Sequence, residues 1–401
     1  MNLNYQNSIL IKLKVIRLFF YALKCYIYYS DDMKKRNRRL KKQVKVFLLL
    51  TIFFALLIYL VCNILNTDGT DKIKDKIFDK VTKELPNVNI EDEHIYLLIG
   101  DEYNVFIDDD RIKYNSSNSE VVSVDNGIIK ALSVGEVTVK VSGKNSDEIK
   151  VTVTDLITKP HIDDEKKKLT CGKYNESEAK LLDEILEYRI KNAGYQTRAG
   201  AVAAARFLVL EFPYKIAYFF ENGRLLTNGT RPYVDGEGRY YHKGLYLSES
   251  KYNSLKASMH GPKMWGCEMY SRVTNRVSPN GMDCSGYVSW ALFNAGFDVG
   301  DAGAGININK TNDLDDLGEK LKINKDNLAL KKVKVGDLVS AYGHIGILIG
   351  MDDKHYYIAE SLEKDIHVLT LTEDELIKSD WLYFVLMDDI YKVDGNLNNM
   401  W

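Results

Sequence analysis

The sequence predicts a multidomain chain: a single transmembrane helix, then a small all-β sandwich, then a C-terminal α+β domain. Three observations predict it. Residues 46–67 run for 22 positions without a charge. From about Asn89 to Thr154 apolar and polar residues alternate between regularly spaced turn residues. Beyond Gly261, an amphipathic helical pattern is followed by segments of strand period. A chain of 401 residues is long enough for two or three domains, and its 45% hydrophobic and 27% charged content is ordinary for globular protein.

The first 45 residues carry 12 Lys/Arg against 2 Asp, and the remainder carries 42 basic against 54 acidic residues. A basic head thus precedes an acidic body, which argues against nucleic-acid binding as the main task. "VFLLLTIFFALLIYLVCNILNT" (46–67) would span roughly 33 Å as a helix, enough for a bilayer core of about 30 Å. The basic "MKKRNRRLKKQ" before it predicts a cytoplasmic N-terminus, extracellular C-terminal domains and an uncleaved anchor in the cell membrane. Residues 1–32 fit a basic amphipathic segment at the membrane surface, or else Met33 is the start.

A stalk is expected over 68–88, with Ile73, Ile77, Phe78 and Val81 at helical spacing and Pro86 ending it. A β domain follows over 89–155. Within it, "SSNSEVVSVDNGIIKALSVGEVTVKVSG" (116–143) reads as three strands with turns at Asp125-Asn126-Gly127 and Ser133-Val134-Gly135. Residues 156–172 read as a polar linker. In the helical and loop region 173–260, Ala179, Leu182, Ile185, Leu186 and Ile190 form one apolar stripe, and a second helix starts at Arg198.

The five cysteines, Cys25, Cys62, Cys171, Cys267 and Cys284, form no CxxC, and no zinc-binding spacing appears. No metal and no cofactor is expected. A pairing of Cys171 with Cys267 is open. Cys284 stands apart in "NGMDCSGYVSWALFNAGF" (280–297), because Asp283 is a good N-cap and Gly296 a good helix end. A thiol in the first turn meets unpaired N–H groups and the positive end of the helix dipole, which favour the nucleophilic thiolate.

Such a thiolate needs a base. In "KVGDLVSAYGHIGILIG" (334–350), His344 opens a strand whose period places His344, Gly346 and Leu348 on one face. The small Gly346 is expected to leave room on that face for the helix N-terminus. "HYYIAES" (355–361) returns as the next strand. A three-residue loop at 351–353 sets His344 opposite Glu360, which would orient the imidazole and stabilise its charged form. A one-residue change in the loop would substitute Ser361 or Ala359.

Two resemblances follow from these residues. The stretch 116–143, with its Ser-Ser-Asn, Val-Asp-x-Gly and Val-Gly-x-x-x-Val elements, resembles the group 2 bacterial immunoglobulin-like domain, implying a β-sandwich spacer or adhesive module. Asp283-Cys284-Ser285-Gly286, with Gly336-Asp337-Leu338 and His344-Ile345-Gly346-Ile347, resembles the NlpC/p60 family of papain-like cell-wall cysteine peptidases over roughly 261–389. Lys263 stands where that family has Tyr two residues before Trp-Gly, here Trp265-Gly266.

The resemblances complete the expected fold class: one transmembrane helix, an immunoglobulin-like sandwich, and a papain-like α+β domain over 261–401. They imply a membrane-anchored peptidoglycan endopeptidase acting on stem peptides between D-glutamate and a diamino acid. Cys284 is then the nucleophile, His344 the base and Glu360 the orienting group. Two alternatives stand beside it: an amidase cutting between the sugar and the stem's first alanine, and a non-catalytic adhesion or wall-binding protein. No nucleic-acid partner is expected, and no protein partner is identified.

Overall fold

The computed structural model describes residues 84–220, 243–245, 265–271, 276–299, 302–304 and 313–401. The basic head, the expected transmembrane segment 46–67, nearly all of the stalk and Lys263 lie outside the described residues.

Seven strands form a β-sandwich: β1 (His94–Leu98), β2 (Glu102–Asn104), β3 (Lys113–Ser116), β4 (Val122–Asp125), β5 (Ile128–Ala131), β6 (Gly135–Ser142) and β7 (Ser146–Thr154). One sheet has the order β1-β7-β6-β3 and the other β2-β5-β4, with β1 parallel to β7. Alternation builds the core between them. Val137, Val139 and Val141 of β6 and Ile149, Val151 and Val153 of β7 point inward, while Lys140, Glu148 and Lys150 point out. The β4–β5 turn needs positive φ at Asn126 (46°) and Gly127 (80°). A Cβ at Gly127 would lie 2.6 Å from the Phe106 Cα, so this turn tolerates only glycine there.

The sandwich packs directly on the next helix, α1 (Glu176–Ala193). Tyr96 of β1 meets Tyr188 edge-on at 5.4 Å between ring centroids, and its hydroxyl donates to Glu184 at 3.1 Å. α1 opens with an Asn175–Glu178 capping box and buries Ala179, Leu182, Ile185, Leu186 and Ile190, the stripe read from the sequence. Residues 156–172 run alongside the following elements, where Thr158 N–H donates to Glu211 O (2.8 Å) and Leu169 N–H to Lys215 O (2.8 Å). Helix α2 (Arg198–Arg206) is capped by Thr197 and continues into a π-helical turn, Phe207–Glu211.

An eight-stranded sheet is the body of the C-terminal region. Its strands are β8 (Ala217–Tyr218), β11 (Gly281–Met282), β12 (Glu319–Lys322), β13 (Leu338–Ala341), β14 (His344–Met351), β15 (His355–Leu362), β16 (Asp365–Thr372) and β17 (Tyr383–Leu386). The order is β11-β8-β16-β15-β14-β13-β17-β12. A separate hairpin pairs β9 (Glu268–Ser271) with β10 (Arg276–Pro279). Helix α3 (Cys284–Asn294) lies on one face with α1 and α2, sharing a buried cluster with Ile345, Ile347, Ile349 and Ala359. The other face buries Val339, Leu348, Ile358, Trp381 and Phe384 with the short helices α4 (Lys325–Leu328) and α5 (Glu373–Lys378). A last short helix, α6 (Asp388–Tyr391), follows β17.

Two expectations are corrected by this architecture. The papain-like α+β description gives way to a sheet-dominated region. Residues 338–386 supply three eight-residue and two four-residue strands paired side by side, and helices cover them. The single-pass membrane placement, with its cytoplasmic and extracellular sides, is also not carried forward, its expected span 46–67 lying outside the described residues. Among the described residues no helix is long and apolar enough to cross a membrane. The 18-residue α1 alternates Glu and Lys with its buried stripe and so covers a core.

Candidate functional site

The site grows from the start of α3. Asp283 caps the helix by accepting from Gly286 N–H at 2.7 Å and from the Ser285 hydroxyl at 3.2 Å. Cys284 is thereby fixed in the first turn, buried and outside any disulfide. Just upstream, Met282 O accepts from the buried Ser361 hydroxyl at 2.7 Å, tying the helix entrance to β15. Gly296, at φ 96°, follows the helix end. The other two described cysteines, Cys171 and Cys267, are joined as a disulfide. That bond secures the segment whose Cys267 O accepts from Asn280 N–H (2.7 Å), one residue before β11.

β14 and β15 supply the imidazole and the carboxylate, in a register two residues from that expected. Glu360 pairs with Gly346, not His344, because Met351 still belongs to the ladder, the turn falls at 352–354, and a bulge lies between Leu348 and Gly350. A displacement by two keeps the face, so Glu360 becomes the diagonal neighbour of His344. His344 Nε2 meets Glu360 Oε2 at 2.5 Å. An ionised carboxylate only accepts, so Nε2 carries the proton and Nδ1 is the basic nitrogen of the neutral ring. The Trp381 ring stacks on the imidazole at 5.0 Å between centroids and 25° between planes.

The room at Gly346 is used differently from the expectation. A Cβ there would touch Ile358 Cγ2 at 3.0 Å and Trp381 Cη2 at 3.4 Å, so the glycine admits Trp381. Helix α3 packs on the opposite, isoleucine face. The structure therefore joins His344 and Glu360 directly, and it ties Met282, two residues before Cys284, to Ser361, the chain neighbour of Glu360.

Glu360 is buried, with 2% of its surface exposed. Burial alone would push its carboxyl up. Hydrogen bonds and positive charge from His344 and His367 outweigh burial and hold it down at about 2. His367, the second partner, escaped the sequence reading. The short Glu363-Lys364 turn sets it directly opposite Glu360, and that turn was the available signal. Its Nε2 lies 3.2 Å from Glu360 Oε1, a contact that raises its proton affinity against the opposing effect of burial.

Asp337 of the Gly336-Asp337-Leu338 motif is structural. It receives Arg198 Nη1 at 2.6 Å, Met387 N–H at 3.0 Å and Lys334 N–H at 2.8 Å. Burial raises its pKa in spite of these donors. Among the described residues, the carboxylates of Asp313, Asp315 and Asp316 lie within 4.8 Å of one another in a grouping suited to a cation. Lys320 Nζ already pairs with Asp315 at 2.9 Å and Asp316 at 3.1 Å.

Comparison with known proteins bears on the sandwich. Residues 101–154 match the family model of the hyaluronate lyase N-terminal beta-sheet domain. No curated protein matches the chain. The match replaces the group 2 immunoglobulin-like assignment, since it accounts for β2 through β7. No peptidase family model matches. The NlpC/p60 assignment is accordingly withdrawn, and with it the peptidoglycan endopeptidase, the amidase and the adhesion-protein readings. A short motif such as Asp-Cys-Ser-Gly is compatible with any Asp-capped helix start and does not by itself identify a family. The matched residues do not include Cys284, His344 or Glu360, and what the comparisons identify is a chain similar over its β-sandwich to a domain of hyaluronate lyases.

Proposed function

We propose that this is a glycan-associated protein whose C-terminal region carries a thiol–imidazole–carboxylate site for acyl transfer. Cys284 is the nucleophile, His344 Nδ1 takes the thiol proton, and Glu360 orients the ring and stabilises the imidazolium. The observation that carries the reading is the His344 Nε2–Glu360 Oε2 bond of 2.5 Å, and the bond from Ser361, next to Glu360, to Met282 O at the entrance of the Cys284 helix supports it. It fixes the tautomer a general base needs, and Trp381 holds the ring plane. The similarity to a domain of hyaluronate lyases supports a polysaccharide as the material this protein works on or against.

In the proposed step the thiolate adds to a carbonyl carbon and His344 passes its proton to the leaving group. A thioester on Cys284 then awaits water or another acceptor. A second reading, β-elimination from a uronate, is favoured by the lyase similarity alone and would use the imidazole–carboxylate pair as base.

One experiment separates the two. The full chain is incubated with cell-wall glycan and with uronate-containing polysaccharide, beside Cys284→Ala and His344→Ala. Mass spectrometry looks for an adduct on the Cys284 peptide, and ultraviolet absorbance for unsaturated uronate. An adduct lost in both variants supports acyl transfer, and its mass names the acyl group. Unsaturated uronate formed equally by Cys284→Ala overturns it in favour of elimination. Neither product overturns both.

A further inference from the structure

Resting on the thiol–imidazole reading above, we propose that His367 is a positioning residue of this site. It is an imidazolium clamped between Glu360 and Asp365 that shares the Glu360 carboxylate with His344 and sets the pH at which Cys284 becomes reactive.

The argument is one of donors and acceptors. His367 Nε2 faces Glu360 Oε1 at 3.2 Å. Its Nδ1 faces Asp365 O at 3.2 Å and Asp365 Oδ1 at 3.4 Å. All three are acceptors, which two donating ring nitrogens would satisfy together, and a ring with two N–H groups is charged. The same carboxylate gives Oε2 to His344, so a positive charge stands across Glu360 from the proposed base.

The register makes the arrangement rigid, with Glu360 directly opposite His367 in β15–β16 and diagonal to His344 in β14–β15. Further charges gather around the ring. Asp163, Asp164, Lys166 and Lys215 line the same cleft as His367. Lys166 Nζ is tied to Val209 O at 2.9 Å and Lys215 Nζ to Asp164 O at 2.9 Å, so neither ammonium is placed on Glu360.

A fixed positive charge lowers the proton affinity of every neighbouring group. Its proposed effect is to favour the Cys284 thiolate. His367→Gln keeps an N–H donor for Oε1 and removes the charge. The pH profile of Cys284 alkylation then moves upward as a whole, by about one pH unit for a unit charge acting through a partly buried site.

The test follows iodoacetamide labelling of the Cys284 peptide against pH in the full chain, for wild type, His367→Gln, His367→Lys and His344→Ala. Nitrogen-15 spectra of the His367 ring provide a second readout, on wild type alone. The proposal expects both His367 nitrogens protonated at neutral pH, an upward shift in His367→Gln and a return toward wild type in His367→Lys. An unprotonated ring nitrogen at neutral pH overturns it. So does a His367→Gln profile with an unmoved midpoint, whatever its thermal stability, which is the outcome of a purely structural role. If His344→Ala leaves the labelling profile unchanged, the thiol–imidazole reading itself has failed. If only the His367 variants are silent, that reading stands and this inference does not.

Discussion

The β-sandwich and the C-terminal sheet are both built from alternating strands, yet they place their charges differently. In the sandwich, the ion pairs Lys130–Glu102, Lys140–Glu148 and Lys150–Glu136 stand on outward-facing positions, each side chain about half exposed. The C-terminal region carries charge inside. Arg198 is fully buried between Asp337, Asp388 and Asp394, and Glu360 is buried between two histidines. Charge on a wet surface contributes little to stability, whereas buried charge persists only where geometry compensates it. The contrast separates a region that holds its shape by apolar packing from one whose interior stores oriented, titrating groups.

The largest effect expected from this difference is at Arg198. Arg198→Leu leaves the Asp337 carboxylate buried without its guanidinium and should destabilise the fold by about 3–5 kcal/mol, read from the midpoint of chemical unfolding. A loss below about 1 kcal/mol would erase the proposed contrast.

The next effect is one of pH. The folded Glu360 carboxyl lies at about 2, below its ordinary value of 4.5, so its contribution is present above pH 4.5 and is lost as pH falls toward 2. His367, raised above 6.5, contributes to the same contact from the other side, in full below that pH and less as pH rises through its folded value. Unfolding measured across pH should show a loss on the order of 3 kcal/mol on the acid side, and Glu360→Gln should flatten it. A wild-type curve that matches the variant would remove Glu360 from the account.

The smallest effect belongs to the sandwich. Lys150→Ala breaks the surface pair with Glu136 and should change stability by less than about 0.5 kcal/mol, with any change vanishing at high salt. A larger, salt-resistant loss would make the sandwich resemble its neighbour.

Local pattern carried much of this protein into view. The stripe of α1, the capped start of α3, the turns at Asn126-Gly127 and the strand opening at His344 are short-range features, and short-range sterics and capping chemistry decide them. Glu360 meets His344 although the expected register was two residues off, because a two-residue displacement preserves the face of a strand. Family identity was less legible. A few residues of motif resemble several ancestries, and the sandwich matched a hyaluronate lyase domain instead of the immunoglobulin-like one expected.

What the sequence by itself determined, then, is where helices and strands begin and which side of each is apolar. Tertiary structure alone decided that α3 lies on the isoleucine face of the sheet, that Trp381 fills the space at Gly346, and that Asp337 belongs to Arg198, 139 residues away. It also decided that His367 shares Glu360 with His344. The physical reason is range. Backbone propensity and periodicity act over a few residues, whereas a bulge of one residue or an ion pair closing a long loop depends on packing between segments that only the folded chain brings together.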